Sequence, residues 1–239
     1  MPSTRSSPEG ARPLPFIVLE GTDGSGVTTQ SDMLARSMRD LGRKVFVTKQ
    51  PSDGPVGAMI RLALAKRLRE TEHAGISPSE RAEILALFFA ADRKDHYHNT
   101  VRPLLKQGVL VISDRYDLST FAFQGVDVSD SKWLRAINSK VARPNLTVLL
   151  DVEPMTCMER IERRSGHYQL YEDVTQLERV HRAYLDAVDQ LRQWGDNIVV
   201  VDGNRSTNEV HRSVLAEVKA GLASQTGKPA SSNSLFPES

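Results

Sequence analysis

Five short runs rich in valine, isoleucine and leucine punctuate this chain of 239 residues: P-F-I-V-L-E (15–20), K-V-F-V-T (44–48), G-V-L-V-I-S-D (108–114), L-T-V-L-L-D-V (146–152) and N-I-V-V-V-D-G (197–203). Stretches of helical period fill the gaps. Residues 28–42 carry Met33, Leu34, Met38 and Leu41 near helical spacing and stop at Gly42. Residues 55–68 form a second helix. S-P-S-E (77–80) is a helix start, with Ser77 as cap, Pro78 at the first position and Glu80 closing the capping box. That helix extends to about Gln107, in one piece or two, and further helices cover 154–164, about 172–193 and about 206–222. Apolar strands separated by helices predict an α/β fold in three layers, α/β/α, around a five-stranded parallel sheet covered on both faces. The Pro-, Ser- and Arg-rich residues 1–13 and the similar residues 224–239 read as disordered tails, which leaves one domain over 14–223.

Lys+Arg total 31 and Asp+Glu 30. A balance this even points to neither a nucleic acid polymer nor an anionic membrane, so any polyanion site must be local. No apolar run approaches the ~18 residues of a membrane span. The N-terminus lacks the apolar stretch of a secretory signal, which makes the cytoplasm the expected compartment. The single cysteine, Cys157, excludes an intrachain disulfide and reads as a small buried hydrophobe. His96 and His98 sit at i, i+2 on a helix, where they point apart and make no metal pair.

The first strand runs straight into E-G-T-D-G-S-G-V-T-T-Q (20–30). This is almost the phosphate-binding pattern G-x-x-x-x-G-K-[ST]: Gly21, Gly26 and Thr28 meet it, and Val27 stands in place of the lysine. Gly21, Gly24 and Gly26 let the backbone approach a phosphate, whose charge then faces successive N–H groups and a helix N-terminus. Thr28 supplies a hydroxyl for Mg2+. A Gly-rich turn that binds nothing is the other reading of the loop alone. Its place after a strand and before a helix favours the phosphate loop, since ligands of parallel α/β sheets bind at the carboxyl ends of the strands.

Three motifs in order carry a family resemblance. E-G-T-D-G-S-G-x-T-T-Q, A-L-F-F-A-A-D-R (86–93) and D-R-Y-D-L-S-T-F-A-F-Q-G (114–125) closely resemble thymidylate kinases, and L-L-D-V-E-P (149–154) and L-Y-E (170–172) follow in sequence. The resemblance covers roughly residues 14–222 and implies a P-loop NTPase-type fold with a short lid at about 160–172. It implies a nucleoside monophosphate kinase that moves the γ-phosphoryl of ATP to dTMP with Mg2+, working as a homodimer. The ATP-binding stretch is then Gly21, Gly24, Ser25, Gly26, Val27, Thr28 and Thr29. Phe89 matches the aromatic stacked on thymine, and Arg93 the arginine on the base edge; core packing and a solvated helix charge are the plain alternatives. Asp114 matches the aspartate of the Mg2+ shell. Arg115 matches the arginine between donor and acceptor phosphates, and Asp23 the loop acid near the acceptor sugar. Ser119, Phe123 and Gln124 match the segment over the nucleoside.

The departures are local. Lys49-Gln50-Pro51 replaces the common Arg-Glu-Pro, which keeps a charge for the acceptor phosphate but loses the bidentate fork and a carboxylate. Glu172 matches the lid acid, whereas Leu170 replaces an arginine. The basic segment R-I-E-R-R-S-G-H (160–167) resembles a lid that supplies the catalytic arginine, with Arg160 and Arg164 as candidates and Arg163 as a third. Against an active kinase stand two other readings: a nucleotide-binding pseudokinase, and a kinase for a different nucleotide or deoxynucleoside.

Overall fold

β1 (Phe16–Glu20) is the middle strand of a five-stranded sheet in the order β2-β3-β1-β4-β5, where β2 is Val45–Lys49, β3 Leu110–Asp114, β4 Leu146–Asp151 and β5 Ile198–Asp202. Every pairing is parallel. The computed structural model describes residues 15–65, 75, 77–165 and 171–226. Around the sheet lie α1 (Val27–Asp40), α2 (Pro55–Leu64), α3 (Pro78–His96), α4 (Arg102–Lys106), α5 (Leu118–Phe123), α6 (Ser131–Ile137), α7 (Pro154–Ser165), α8 (Tyr171–Gln193) and α9 (Thr207–Thr226). Among the described residues no helix is long and apolar enough to cross a membrane.

The alternation of side chains along β1 builds the two outer layers. Ile17 and Leu19 face one side, where they join Leu34 and Met38 of α1 and Val210 and Val214 of α9. Phe16 and Val18 face the other side and meet Tyr97, Val101 and Tyr116. On that side Leu149 of β4 and Ile198 of β5 pack with Phe121 of α5 and Val180 and Tyr184 of α8. All five residues of β1 are buried, as a strand covered on both faces requires.

The expected five strands and the three layers are present. The long helix from Ser77 is broken: α3 ends at His96, a π-helical turn follows over Tyr97–Val101, and α4 completes the run. Two helices, α5 and α6, escaped the sequence reading. Each spans fewer than two turns, too short for a 3.6-residue period to declare itself. α2 stops at Leu64 with Ala65 as its cap, and the remaining residues expected in it, 66–68, lie outside the described residues. α9 runs to Thr226, so the first three residues assigned to the C-terminal tail are helical. The rest of that tail, residues 1–13 and residues 166–170 of the expected lid also lie outside the described residues.

The predicted capping box at α3 is formed: the Glu80 N–H donates to Ser77 Oγ (3.2 Å) and the Ser77 N–H donates to Glu80 Oε2 (2.7 Å). Replacing Ser77 with Ala therefore costs about 1 kcal/mol, read as a fall of about 2–4 °C in the thermal midpoint.

Candidate active site

The turn from β1 into α1 is built around two glycines with left-handed backbones, Gly24 (φ 83°) and Gly26 (φ 92°). At Gly24 a Cβ would stand 2.4 Å from the carbonyl oxygen of Cys157, so the loop lies directly on α7 and admits no side chain there. Cys157 is buried beneath it with Sγ 3.3 Å from Thr22 Oγ1, and burial pushes its thiol pKa up, which suits packing and not nucleophilic chemistry. α1 has Gly26 at its N-cap and no side-chain cap, which leaves the N–H groups of its first turn available to an anion. Ser25 Oγ is buried and has no partner among the described residues.

A cavity of about 530 Å3 opens over this loop. Thr28 and Asp114 line it, and Thr28 Oγ1 donates to Asp114 Oδ2 at 2.6 Å. Burial raises the Asp114 pKa, while the Thr28 hydrogen bond, Arg115 and Lys49 oppose that rise. Among the described residues no group of three or more His, Cys, Asp and Glu side chains forms a metal cage. The Thr28–Asp114 pair offers instead the sparse oxygen set of a site completed by phosphates.

Val27 is the first residue of α1 and is 5% exposed. It packs into the core cluster of Leu34, Val210 and Val214, and one edge of it still lines the cavity. The position that would hold a lysine is thus an apolar wall shared by α1 and α9. The cations around the cavity come from elsewhere. Arg160 donates to the carbonyl oxygens of Gly203 (3.0 Å) and Ser25 (3.4 Å), which places its guanidinium against the loop. Arg164 lines the cavity and is exposed. Arg163 also lines it but pairs with Glu159 at 3.6 Å on the surface. Arg205, after β5, is a further lining cation that sequence reading did not single out; it is held by Asp202 at 3.0 Å. Glu172 is within α8, although its side chain is outside the described atoms.

Arg115 sits between this cavity and a smaller one of about 360 Å3, and lines both. Its guanidinium donates to Asp23 Oδ1 at 2.6 Å and lies 5.1 Å from the Phe123 ring centroid. Burial works against its charge, yet Tyr184, Asp23, Glu20 and Asp114 hold its pKa above the usual arginine value, so it is a permanent cation. Phe89, Ser119, Phe123 and Gln124, which the resemblance assigns to the nucleoside, line the smaller cavity together. Phe88 and Phe89 are both half-buried. Ser119 has its hydroxyl committed to Glu20 Oε2 (2.5 Å), so toward a nucleoside it can act only as an acceptor.

Arg93 lies below this cavity and not in its wall. It is 1% exposed and donates to Gln50 Oε1 (3.1 Å), the Tyr116 carbonyl (2.8 Å), Thr120 Oγ1 (3.0 Å) and Asn138 Oδ1. Four segments of the chain are bolted together by one guanidinium. Gln50 thereby gains a purpose of its own: its amide oxygen accepts from Arg93, while Nε2 lies 3.5 Å from Nδ1 of buried His96. Burial lowers the His96 pKa and keeps the ring neutral, with Nε2 2.7 Å from Thr48 Oγ1. Lys49 stands at the cavity edge in an exposed ion pair with Asp53 (3.4 Å). Replacing Arg93 with Ala would strand these buried acceptors, so urea unfolding should register a loss of about 3 kcal/mol or more.

Comparison with known proteins gives the family. A family model described as Thymidylate kinase matches residues 19–214. A probable thymidylate kinase of Pyrococcus horikoshii is 38% identical over 208 residues, covering 87% of this chain and 97% of the relative. Those of Thermococcus gammatolerans and Pyrobaculum calidifontis are 36% and 35% identical over 209 residues, each covering 87% of this chain and 98% of the relative. With the match spanning β1 through α9 and every strand between, the chain belongs to the thymidylate kinase family.

Proposed function

We propose that the chain transfers the γ-phosphoryl of ATP to dTMP, giving dTDP and ADP. One observation carries the reading: Arg115 lines both the loop cavity and the smaller cavity walled by Phe89 and Phe123, so one planar cation reaches two ligands. The larger cavity takes the donor, with its triphosphate on the backbone of Gly21–Thr29. The smaller one takes the acceptor, with thymine against Phe89, its sugar near Asp23, Ser119 and Gln124, and its phosphate toward Arg115 and Lys49. Thr28 and Asp114 supply hard oxygens for Mg2+, which when bound neutralises phosphate charge. The attack is direct and in line, without a covalent enzyme intermediate, so catalysis is positioning and charge.

That leaves the lysine to be replaced. Losing one preorganised donor costs about 3 kcal/mol, or on the order of a hundredfold in rate. Arg160, already docked on Ser25 and Gly203, is the first substitute, and Arg164, exposed at the cavity wall, is the second. Purified protein with Mg-ATP and dTMP should form ADP and dTDP in equal amounts. Arg160→Ala with Arg164→Ala should slow turnover on the order of a hundredfold. Adding Val27→Lys to that pair should recover part of it, because residue 27 borders the cavity. Nucleotide binding without any turnover in the unaltered chain would favour a binding module instead.

The working unit is a homodimer in the cytoplasm, where free nucleotides are consumed. Large apolar side chains stand exposed on α2 (Met59, Leu62, Leu64) and on α3 (Ile84, Leu87), two helices packed on each other. Apolar surface concentrated in this way marks an association face, here for a second copy of the chain. Sedimentation should give twice the mass of one chain, and Leu87→Glu should halve it.

A further inference from the structure

Glu20 ends β1 on the sheet face that also carries Phe16 and Val18, and none of it is exposed. A carboxylate at this point in an apolar strand must be satisfied by the protein, and four donors do so. Oε1 accepts from the N–H groups of Tyr116 (2.7 Å) and Ser119 (3.3 Å), and Oε2 accepts from Ser119 Oγ (2.5 Å) and Tyr184 Oη (3.2 Å). Burial raises the Glu20 pKa, while Ser119, Arg115 and the Tyr116 N–H draw it back.

The residue enclosed by these bonds is Arg115. It is the one non-glycine with positive φ (70°) among the described residues, a conformation that side chains other than glycine rarely take. Each peptide group flanking it is tied. Its own N–H donates to the Leu19 carbonyl (2.8 Å), its carbonyl accepts from Ser113 Oγ (2.7 Å), and the next N–H goes to Glu20. Leu19 and Glu20 thus grip the turn from consecutive residues of one strand. We propose that Glu20 is a positioning residue: by holding the Tyr116 and Ser119 N–H groups it fixes the turn that aims the Arg115 guanidinium at the acceptor phosphate. This rests on the phosphoryl-transfer reading above. Glu20 touches neither ligand cavity and acts only through Arg115 and the start of α5.

Calorimetric titration of the full chain with dTMP and with thymidine tests it, since only dTMP carries the phosphate that Arg115 meets. Glu20→Gln keeps the shape and one acceptor oxygen but removes the charge that strengthens these bonds. The expected result is dTMP affinity weakened roughly tenfold, thymidine affinity weakened far less because only its contact with Ser119 is touched, and no further loss of the dTMP-over-thymidine preference from Glu20→Gln in an Arg115→Ala background. Equal losses for both ligands, no loss for either, or additive losses with Arg115→Ala would overturn the proposal. Should Glu20→Gln fail to fold, Tyr184→Phe takes one donor from Glu20 and also frees Ser119 Oγ, 2.9 Å away; it should weaken dTMP more than thymidine, and equal loss of both ligands overturns the idea. An unaltered chain that binds neither ligand sinks the functional reading itself, whereas binding that is insensitive to Glu20 sinks only this one.

Discussion

The parallel register of β1 with β3 sets Leu19 opposite Asp114, and most of the site's geometry descends from that pairing. It puts the exit of β1 beside the exit of β3, so that the Gly21–Thr28 loop and the Asp114–Arg115 turn share one edge of the sheet. Thr28 can then reach Asp114, Asp23 can reach Arg115, and the Arg115 N–H can close on Leu19. A slip of one residue along either strand would turn every buried side chain of it to the opposite face. The apolar alternation that builds the two helical layers therefore also locks the Asp114–Arg115 turn in place.

Much of this was legible in the sequence because it depends on local pattern. Five Val-, Ile- and Leu-rich runs gave five strands, and a Gly-rich stretch after the first gave the loop. The place of Asp114 and Arg115 at the end of a strand followed from the apolar run before them, whereas their roles came only from the resemblance. What was not legible depends on partners far apart in the chain. Arg93 in A-D-R-K-D looks like any solvated helix charge, yet Gln50, Tyr116, Thr120 and Asn138 converge on it from four other segments. Glu20 carried one faint signal, a charge closing an otherwise apolar run, but its meaning needed Tyr116 and Tyr184 nearby.

The substitutions that set this chain apart are not all alike. At Val27 the side chain joins the core between α1 and α9, while Arg160 rests on the Ser25 carbonyl of the loop. At Gln50 one polar contact has been exchanged for another. An amide presents an acceptor on one side and a donor on the other, which is what a buried arginine and a neutral imidazole require from the residue between them.

That last arrangement ties two positions to each other. A glutamate at position 50 has no hydrogen to offer Nδ1 of His96, so the neutral ring would have to carry its own hydrogen on Nδ1 and accept from Thr48 at Nε2. Residues 50 and 96 therefore form an epistatic pair, in which the effect of changing either depends on what the other has become.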